Sequence, residues 1–149
     1  MVGGGNVAID VALTAKRMGA KEVHMVCLEK RHEMPAHKWE IDQAVEEGIK
    51  IHNTWGPKRI ITEEGAVSGI ECKRCSEVFD DDGRFNPCYD EFITHIFDAD
   101  TIILAIGQAM DTSFLKCQGG MELFMDGRIK VDPITLETSM KGVFAGGDI

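Results

Sequence analysis

The glycine-rich run at the start of the chain constrains its fold more than any other feature. Gly3, Gly5 and Ala8 match the G-x-G-x-x-G/A pattern of a turn between a strand and a helix. The first glycine permits the tight turn, the second lets the backbone approach a pyrophosphate, and the small third residue lets the helix pack on its strand. The start of a helix also attracts phosphates through its N–H groups and dipole. We therefore predict nucleotide contacts at Gly3, Gly4, Gly5, Asn6, Val7 and Ala8.

Two helix–strand units follow this run. Hydrophobic spacing predicts helices over residues 6–18 and 38–47, and strands over residues 23–28 and 49–55. The expected apolar positions are Val7, Val11, Ala15 and Met18 on the first helix, and Trp39, Ile41, Ala44 and Val45 on the second. Alternating strands and helices with short connections are typical of a doubly wound nucleotide-binding fold.

The pattern changes in the second half of the chain. Strand-like runs over residues 58–62, 67–79 and 93–97 predict an antiparallel meander, with a polar loop before the last run. The apolar residues 99–107 indicate a return to the parallel sheet, and a small strand is expected over residues 128–131. The predicted fold class is α/β: a Rossmann-like parallel sheet with helices and an added antiparallel β-meander, in one domain over residues 1–149.

Composition excludes several classes of function. The net charge of −9, with no long basic cluster, argues against nucleic acid as a partner. No apolar run approaches ~18 residues and no leader precedes the glycine run, so neither a membrane span nor a secretory signal is expected. Five scattered cysteines favour reduced thiols in the cytoplasm.

Metal and redox sites are not expected. Cys72 and Cys75 are three residues apart on a strand, where their side chains would point to opposite faces, so we predict neither a disulfide nor a zinc pair. His32, His37 and His52 lack metal-ligand spacing and are expected at the surface or in loops. We predict no metal site.

The end of the strand predicted over residues 23–28, which is the second strand of this fold after the one that precedes Gly3, bears on nucleotide choice. An acid there accepts hydrogen bonds from the ribose hydroxyls, whereas Arg or Lys accommodates a 2′-phosphate. Glu29 would repel that phosphate, and Lys30 and Arg31 would attract it. The cofactor is therefore NAD(H) or NADP(H), with NAD(H) favoured through Glu29; solvated loop charges remain the alternative for each residue.

The strand before the glycine turn is short. A central strand has about five or six residues, and only Met1 and Val2 precede Gly3. Unpaired buried backbone groups cost roughly 1–3 kcal/mol each, so we expect this position to be filled. Residues added ahead of Met1 would serve, as would the run Val143-Phe144-Ala145 within one chain or between two. The chain is thus expected to depend on a non-native strand or on dimerisation.

Five runs in this order resemble the FAD-dependent, NAD(P)H-oxidising oxidoreductases related to the glutamate synthase small subunit. That group includes the flavin-and-nicotinamide part of dihydropyrimidine dehydrogenase. The runs are residues 3–10, 31–36, 46–49, 99–108 and 143–148. The resemblance implies an NAD(P)H domain inserted in an FAD domain, with residues 142–149 beginning the returning FAD domain. By resemblance, Gly147 and Asp148 lie on the FAD side, and Ala105, Ile106, Gly107 and Gln108 lie near the nicotinamide nucleotide.

The implied reaction passes a hydride from NAD(P)H to FAD, and electrons then leave through iron–sulfur clusters of a partner subunit or a ferredoxin. No catalytic residue is expected in this chain, because the cofactors carry the chemistry. The chain alone should bind a nicotinamide nucleotide but neither hold FAD nor be active. Members that use NADPH usually carry paired arginines just after the second strand, where this chain has Leu28 and Glu29. Two alternatives stay open: a non-catalytic nucleotide-binding or docking module, and a glycine turn that binds FAD itself.

Overall fold

The structure is a computed structural model that describes residues 1–108, 111–118 and 120–147, with the backbone alone at residues 116–118. The chain divides into two compact units, Met1–Gly107 and Gln108–Ile149. The first unit contains the two sheets and both α-helices, and the second contains a short 3-10 helix at Ser113–Gln118.

The start of the first unit alternates helices and parallel strands. Its elements are α1 (Asn6–Arg17), β1 (His24–Cys27), α2 (Lys38–Glu46) and β2 (Lys50–Asn53). Strand β1 pairs with β2 in parallel, His24 opposite Lys50. The predicted helices and strands are confirmed, each within about three residues of the expected bounds.

Val2 occupies the central position of the parallel sheet. It forms parallel bridges to Val26 of β1 on one side and to Leu104 on the other. The Val26 amide donates to the Met1 carbonyl at 2.9 Å, and the Ala105 amide donates to the Val2 carbonyl at 2.8 Å. The predicted return of residues 99–107 to this sheet is therefore confirmed. Since Val2 fills the position, insertion of residues 143–145 within the same chain is wrong; Phe144 instead bridges Glu137 within the second unit. Insertion between two chains stays a prediction.

The buried face of α1 differs from the predicted one. Its buried side chains are Ala8, Ile9, Ala12 and Leu13. The stripe predicted through Val7 and Met18 is wrong, because these side chains are 67% and 82% exposed. The contact of Ala8 with the glycine turn fixes the rotation of the helix, so the i, i+4 pairs 8/12 and 9/13 face the sheet.

Helix α2 confirms half of its predicted face. Ile41 and Ala44 are buried as expected, whereas Trp39 and Val45 are 64% and 48% exposed. The Trp39 ring stacks on the His37 ring with centroids 6.3 Å apart, which removes it from the core position predicted for it.

The predicted meander is confirmed as a three-stranded antiparallel sheet. Its strands are β3 (Trp55–Glu63), β4 (Ala66–Phe79) and β5 (Phe85–Asp98), in the order β3-β4-β5. Strand β5 begins eight residues earlier than predicted, because the Asp80 carboxylate closes the preceding turn by accepting from the Asp82 and Arg84 amides. Ile70, Cys72 and Phe97 of this sheet pack on Val2 and Val26.

The second unit has little regular secondary structure among its described residues. Isolated antiparallel bridges link Leu123 to Ile129 and Val131 to Thr138. The small strand predicted over residues 128–131 is therefore reduced to two such bridges. Across the described parts of both units, no helix combines the length and apolarity that crossing a bilayer would need.

Candidate functional site

The glycine turn joins the central backbone segment to α1. The Gly3 amide donates to the Val26 carbonyl at 2.9 Å, which ties the turn to β1. Gly5 is the N-cap of α1; it supplies no side-chain cap, and the first turn of the helix contains no acidic residue. The first N–H groups of α1 and its positive dipole end are thus left for an anionic group.

The three glycines of the turn have different surroundings. A Cβ atom on Gly3 would lie 2.2 Å from the Ala105 carbonyl oxygen, and Gly3 has φ +137°. A Cβ on Gly4 would lie 2.7 Å from Oε2 of Glu29 and 3.1 Å from Cβ of Cys27. A Cβ on Gly5 would meet nothing within 4 Å. The fold therefore requires Gly3, whose close neighbour is main chain, whereas a side chain at Gly4 would have to displace the Glu29 carboxylate. The space beside Gly5 suits a close approach of a ligand.

Glu29 lies close to where the sequence places it, two residues after the end of β1 at Cys27. Its carboxylate packs against Gly4, and its main-chain carbonyl accepts from Nδ2 of Asn53 at 3.0 Å and from the Thr54 amide at 3.3 Å. Strand β1 thus brings an acidic side chain to the glycine turn, next to the uncapped N–H groups at the start of α1. Nothing in the sequence pattern had marked Asn53 or Thr54 as part of this arrangement.

Lys30 and Arg31 point into solvent and interact with acids. Lys30 Nζ lies 3.5 Å from Oε1 of Glu33, and Arg31 lies 3.9 Å from Oδ1 of Asp42. Their side chains are 54% and 43% exposed. Exposed pairs of this kind contribute about 0–1 kcal/mol, so either cation can turn towards a phosphate at little cost.

The segment between β1 and α2 closes against the glycine turn. The Ala36 amide donates to the Gly4 carbonyl at 3.2 Å, and the His37 amide donates to Oδ1 of Asn6 at 3.0 Å. Met34 and Ala36 are the buried hydrophobic residues of this segment. The Asn6 side chain therefore holds the protein around the turn, and its acceptor oxygen does not face a phosphate.

Of the thiols that the structure describes, Cys27, Cys72 and Cys75 are buried, which does not suit a nucleophile, and Cys88 is exposed. Burial and the neighbouring Glu29 carboxylate raise the pKa of Cys27 to about 12, and burial raises the pKa of Cys72 to about 11. Cys72 and Cys75 are both free thiols and both almost fully buried. Across the residues that the structure describes, no three His, Cys, Asp or Glu side chains converge as metal ligands.

The segment after the returning strand contributes main chain to the site. Ala105 contacts Gly3, Ile106 is 71% exposed, and Gly107 has φ +91°. Gln108 begins the second unit, and Gly147 belongs to it. Asp148 lies outside the described residues.

Two histidines of the parallel sheet are in contact, which the sequence pattern did not predict. Nδ1 of His24 lies 3.0 Å from Nε2 of His52, and their rings stack with centroids 5.1 Å apart. The surface or loop position expected for His52 is wrong, because this residue is half-buried in β2 against Phe97. His24 lies opposite Lys50, and His52 stands two residues further along β2 on the same face, so the pair could have been indicated only once the register was known.

The arrangement is suited to binding rather than to acid–base chemistry. An uncapped helix start, open space at Gly5 and an acid at the end of β1 converge on one edge of the sheet. These features fit the diphosphate and the adenosine ribose of a dinucleotide.

Comparison with known proteins agrees with this geometry. The family model for pyridine nucleotide-disulphide oxidoreductases matches residues 1–149. The chain is 45% identical over 150 residues to the NADP(+)-dependent formate dehydrogenase subunit beta of Moorella thermoacetica, and it covers 21% of that protein. It is 35% identical to the NADPH-Fe(3+) oxidoreductase subunit beta of Geobacter sulfurreducens and covers 25% of it. It is 33% identical to the glutamate synthase [NADPH] small chain of Escherichia coli and covers 33% of it.

Solved structures share the fold. The T. acidophilum thioredoxin reductase superposes on 99% of this chain with a TM-score of 0.77 at 22% identity, and the match covers 42% of that enzyme. The thioredoxin reductase of Giardia duodenalis matches 99% of the chain with a TM-score of 0.64 at 29% identity. The Rossmann-like fold predicted from the sequence is thereby confirmed. The chain spans a third or less of the three curated relatives named above.

Proposed function

Because this chain belongs to the pyridine nucleotide-disulphide oxidoreductase family, we propose that it is the NAD(P)H-binding part of an FAD-dependent oxidoreductase related to the glutamate synthase small subunit. The open space beside Gly5 at the start of α1 is the observation that carries this proposal. A diphosphate there would accept hydrogen bonds from the uncapped N–H groups.

The residues around the turn have separable roles in this proposal. Gly3 and Ala8 hold the turn against its neighbours, and Gly5 gives the diphosphate access to the backbone. Val7 is exposed beside the turn and offers an apolar contact, while Asn6 acts indirectly through His37. Ala105, Ile106, Gly107 and Gln108 would lie near the nicotinamide nucleotide, and Gly147 and Asp148 would lie on the FAD side.

Glu29 is proposed to favour NAD(H) over NADP(H). Its carboxylate already lies against Gly4, where the adenosine ribose is expected, while Lys30 and Arg31 face Glu33 and Asp42. A unit charge pair about 4 Å apart in water interacts with about 1 kcal/mol, and a 2′-phosphate carries a charge of about −1.5 to −2, so a 2′-phosphate beside Glu29 should weaken binding about tenfold or more. The three relatives are named for NADP(+) or NADPH, and a turn of Lys30 and Arg31 towards the phosphate would give this chain the same preference.

The reaction requires parts beyond this chain. The relatives are about three to five times as long as this chain, and two of them are named as beta subunits, which supports a larger chain within a complex. We propose that residues 142–149 begin the returning FAD domain of that chain. FAD held by the rest of that chain would supply the hydride acceptor for NAD(P)H, and an iron–sulfur subunit or a ferredoxin would receive the electrons. The buried thiols support a reducing compartment, the cytoplasm.

Calorimetric titration of the purified chain tests the proposal. NADH and NADPH should each bind at one site, NADH about tenfold more tightly, and FAD should neither bind nor copurify. Stoichiometric FAD retained through purification would contradict the assignment, because the glycine turn would then hold the flavin. Binding of neither nicotinamide nucleotide would contradict it as well.

A pair of variants tests the part of Glu29. Glu29→Arg should shift the preference towards NADPH, because it replaces the repulsive charge with an attractive one. Glu63→Gln removes an exposed acid on β3 and should leave the preference unchanged. If the unaltered chain binds NADPH tenfold better than NADH, Lys30 and Arg31 dominate and the role given to Glu29 is wrong.

A further inference from the structure

Asn53 and Thr54 connect the parallel sheet to the antiparallel meander directly behind Glu29. Asn53 ends β2, and Thr54 stands between it and β3. The Glu29 carbonyl accepts from Nδ2 of Asn53 at 3.0 Å and from the Thr54 amide at 3.3 Å. The same Asn53 amide group also donates to Sγ of Cys27 at 3.3 Å. The end of β1 is therefore held by side chain and main chain of the next strand.

Thr54 has an unfavourable backbone conformation. Its φ is +65°, a left-handed conformation that is rare for a β-branched residue. Such a conformation persists only where the surroundings determine it, and here its carbonyl accepts from the Cys75 amide at 2.9 Å while its hydroxyl donates to the Asn53 carbonyl. Thr54 is thus fixed from both sheets, and its amide direction is fixed with it.

Fixing the main chain of Glu29 also limits where its side chain can reach. The carboxylate lies against Gly4, where a single added methyl carbon would be 2.7 Å from Oε2. Cys27 also lies against Gly4, because its Cβ is 3.1 Å from the same added carbon. The position of the Glu29 main chain therefore decides how its carboxylate approaches Gly4.

We propose that Asn53, with Thr54, is a positioning residue that sets the nucleotide preference by holding Glu29 at the glycine turn. This inference rests on the proposed function. The preference for NAD(H) would then depend on Asn53 and Thr54, which connect the two sheets, as well as on the Glu29 carboxylate. Asn53 need not touch the nucleotide, since it acts through the main chain of Glu29.

A double-mutant cycle in the full chain tests the inference. Asn53→Ala should lower the ratio of NADH to NADPH affinity about fivefold, in line with the loss of the hydrogen bond to the Glu29 carbonyl. In a Glu29→Gln background, the same substitution should leave the ratio unchanged, because the charge that Asn53 positions is gone. Ser76→Ala, which removes a hydrogen bond to the Cys88 carbonyl on the meander, is the matched control and should leave the ratio unchanged.

The outcomes separate this inference from the proposed function. If the unaltered chain binds a nicotinamide nucleotide but Asn53→Ala shifts the ratio equally with and without Glu29, positioning through Glu29 is wrong. If the chain binds neither nucleotide, the proposed function fails first, and the inference fails with it. Asn53→Gln keeps an amide donor and should restore part of the ratio, which a general loss of stability would not do.

Hydrogen exchange provides a measurement that needs no nucleotide. The Thr54 amide donates to the Glu29 carbonyl, so Asn53→Ala should speed its exchange about tenfold as the Glu29 main chain loosens. The Ile49 amide, which donates to the Ala44 carbonyl at 2.9 Å, should exchange as before. Equal exchange at Thr54 in both proteins would overturn the positioning role.

Discussion

The Ala105 carbonyl oxygen lies 2.2 Å from the position that a Cβ atom would take on Gly3. We predict that Gly3→Ala destabilises the chain by about 3 kcal/mol or more, because overpacking adds to the strain of a φ of +137°. Urea unfolding measures the loss. Gly146→Ala adds the same methyl group where nothing lies within 4 Å and should change stability little. Equal stability of the two variants would contradict the close contact.

Part of this site followed from the sequence because glycine spacing and strand order are local properties. The turn at Gly3 and Gly5, the acid at Glu29 and the return of Ala105 to the sheet could each be predicted from nearby residues. The contacts of Asn53 and Thr54 could not, since they depend on how the meander sits on the end of β1. No local sequence signal indicated that the His37 amide donates to the Asn6 side chain.

A second prediction concerns His52 and pH. Burial, followed by the positive charge that His24, His95 and Lys50 can carry, lowers the pKa of His52 below 6.5. The unfolded chain therefore takes up the proton more readily, so the stability from neutral His52 is full above about pH 6.5 and is lost as the pH falls towards the folded pKa. The unfolding free energy should decrease between about pH 7 and about pH 5.5, above the range where carboxylates titrate.

Two variants isolate this effect. His52→Gln should reduce the decrease of the unfolding free energy with falling pH. This holds whatever the substitution does to stability at neutral pH, because the measured quantity is the slope of the unfolding free energy against pH. His32→Gln removes a histidine that is 78% exposed and should leave the slope unchanged. An unchanged slope in His52→Gln would show that another group causes the pH dependence.

A third prediction concerns thiol reactivity. Cys27 and Cys72 are buried with pKa values raised to about 12 and about 11, whereas Cys88 is exposed. In a Cys117→Ser background at neutral pH, iodoacetamide should modify Cys88 at least tenfold faster than the two buried thiols. Peptide mass spectrometry measures the rates, and unfolding in urea should equalise them. A disulfide between Cys72 and Cys75, or stoichiometric zinc, would contradict their description as separate thiols.

A fourth prediction concerns the central position of the parallel sheet. Met1 lines a cavity of about 580 Å³ whose lining also includes His24, Phe97 and Ile103. The Met1 ammonium group donates to the His24 carbonyl, and burial lowers the pKa of this amine. Five alternating β-branched residues placed ahead of Met1 should extend the strand into the cavity and raise the unfolding free energy by about 2 kcal/mol.

An extension of five Gly and Ser residues is the matched control and should not stabilise the chain. Light scattering on the unaltered chain tests the related expectation that it associates through this position. A monomer with the same melting temperature as the β-branched extension would contradict both expectations.

The positions of the helices and strands could be predicted from the sequence more accurately than which helix faces are buried. Periodicity placed both helices, but it put Val7, Met18 and Trp39 in the core, because a helix with apolar residues on several faces does not specify its own rotation. Contact between Ala8 and the glycine turn decides that rotation. The start of β5 was likewise decided by contacts outside its own sequence. Pairing with β4 and the turn at Asp80 extend the strand to polar residues that carry no strand signal.

The most direct test of the account is the affinity of Gly5→Ala for NADH. A methyl group on Gly5 meets no protein atom within 4 Å, so the substitution should cost about 1 kcal/mol of stability or less, as expected for alanine in place of glycine at an N-cap. The methyl group would occupy the space proposed for the diphosphate. We predict that NADH affinity, measured by calorimetry on a variant with a near-unaltered melting temperature, falls at least tenfold, while Gly146→Ala binds as the unaltered chain does. Unchanged NADH affinity in Gly5→Ala would contradict a nucleotide site at this turn.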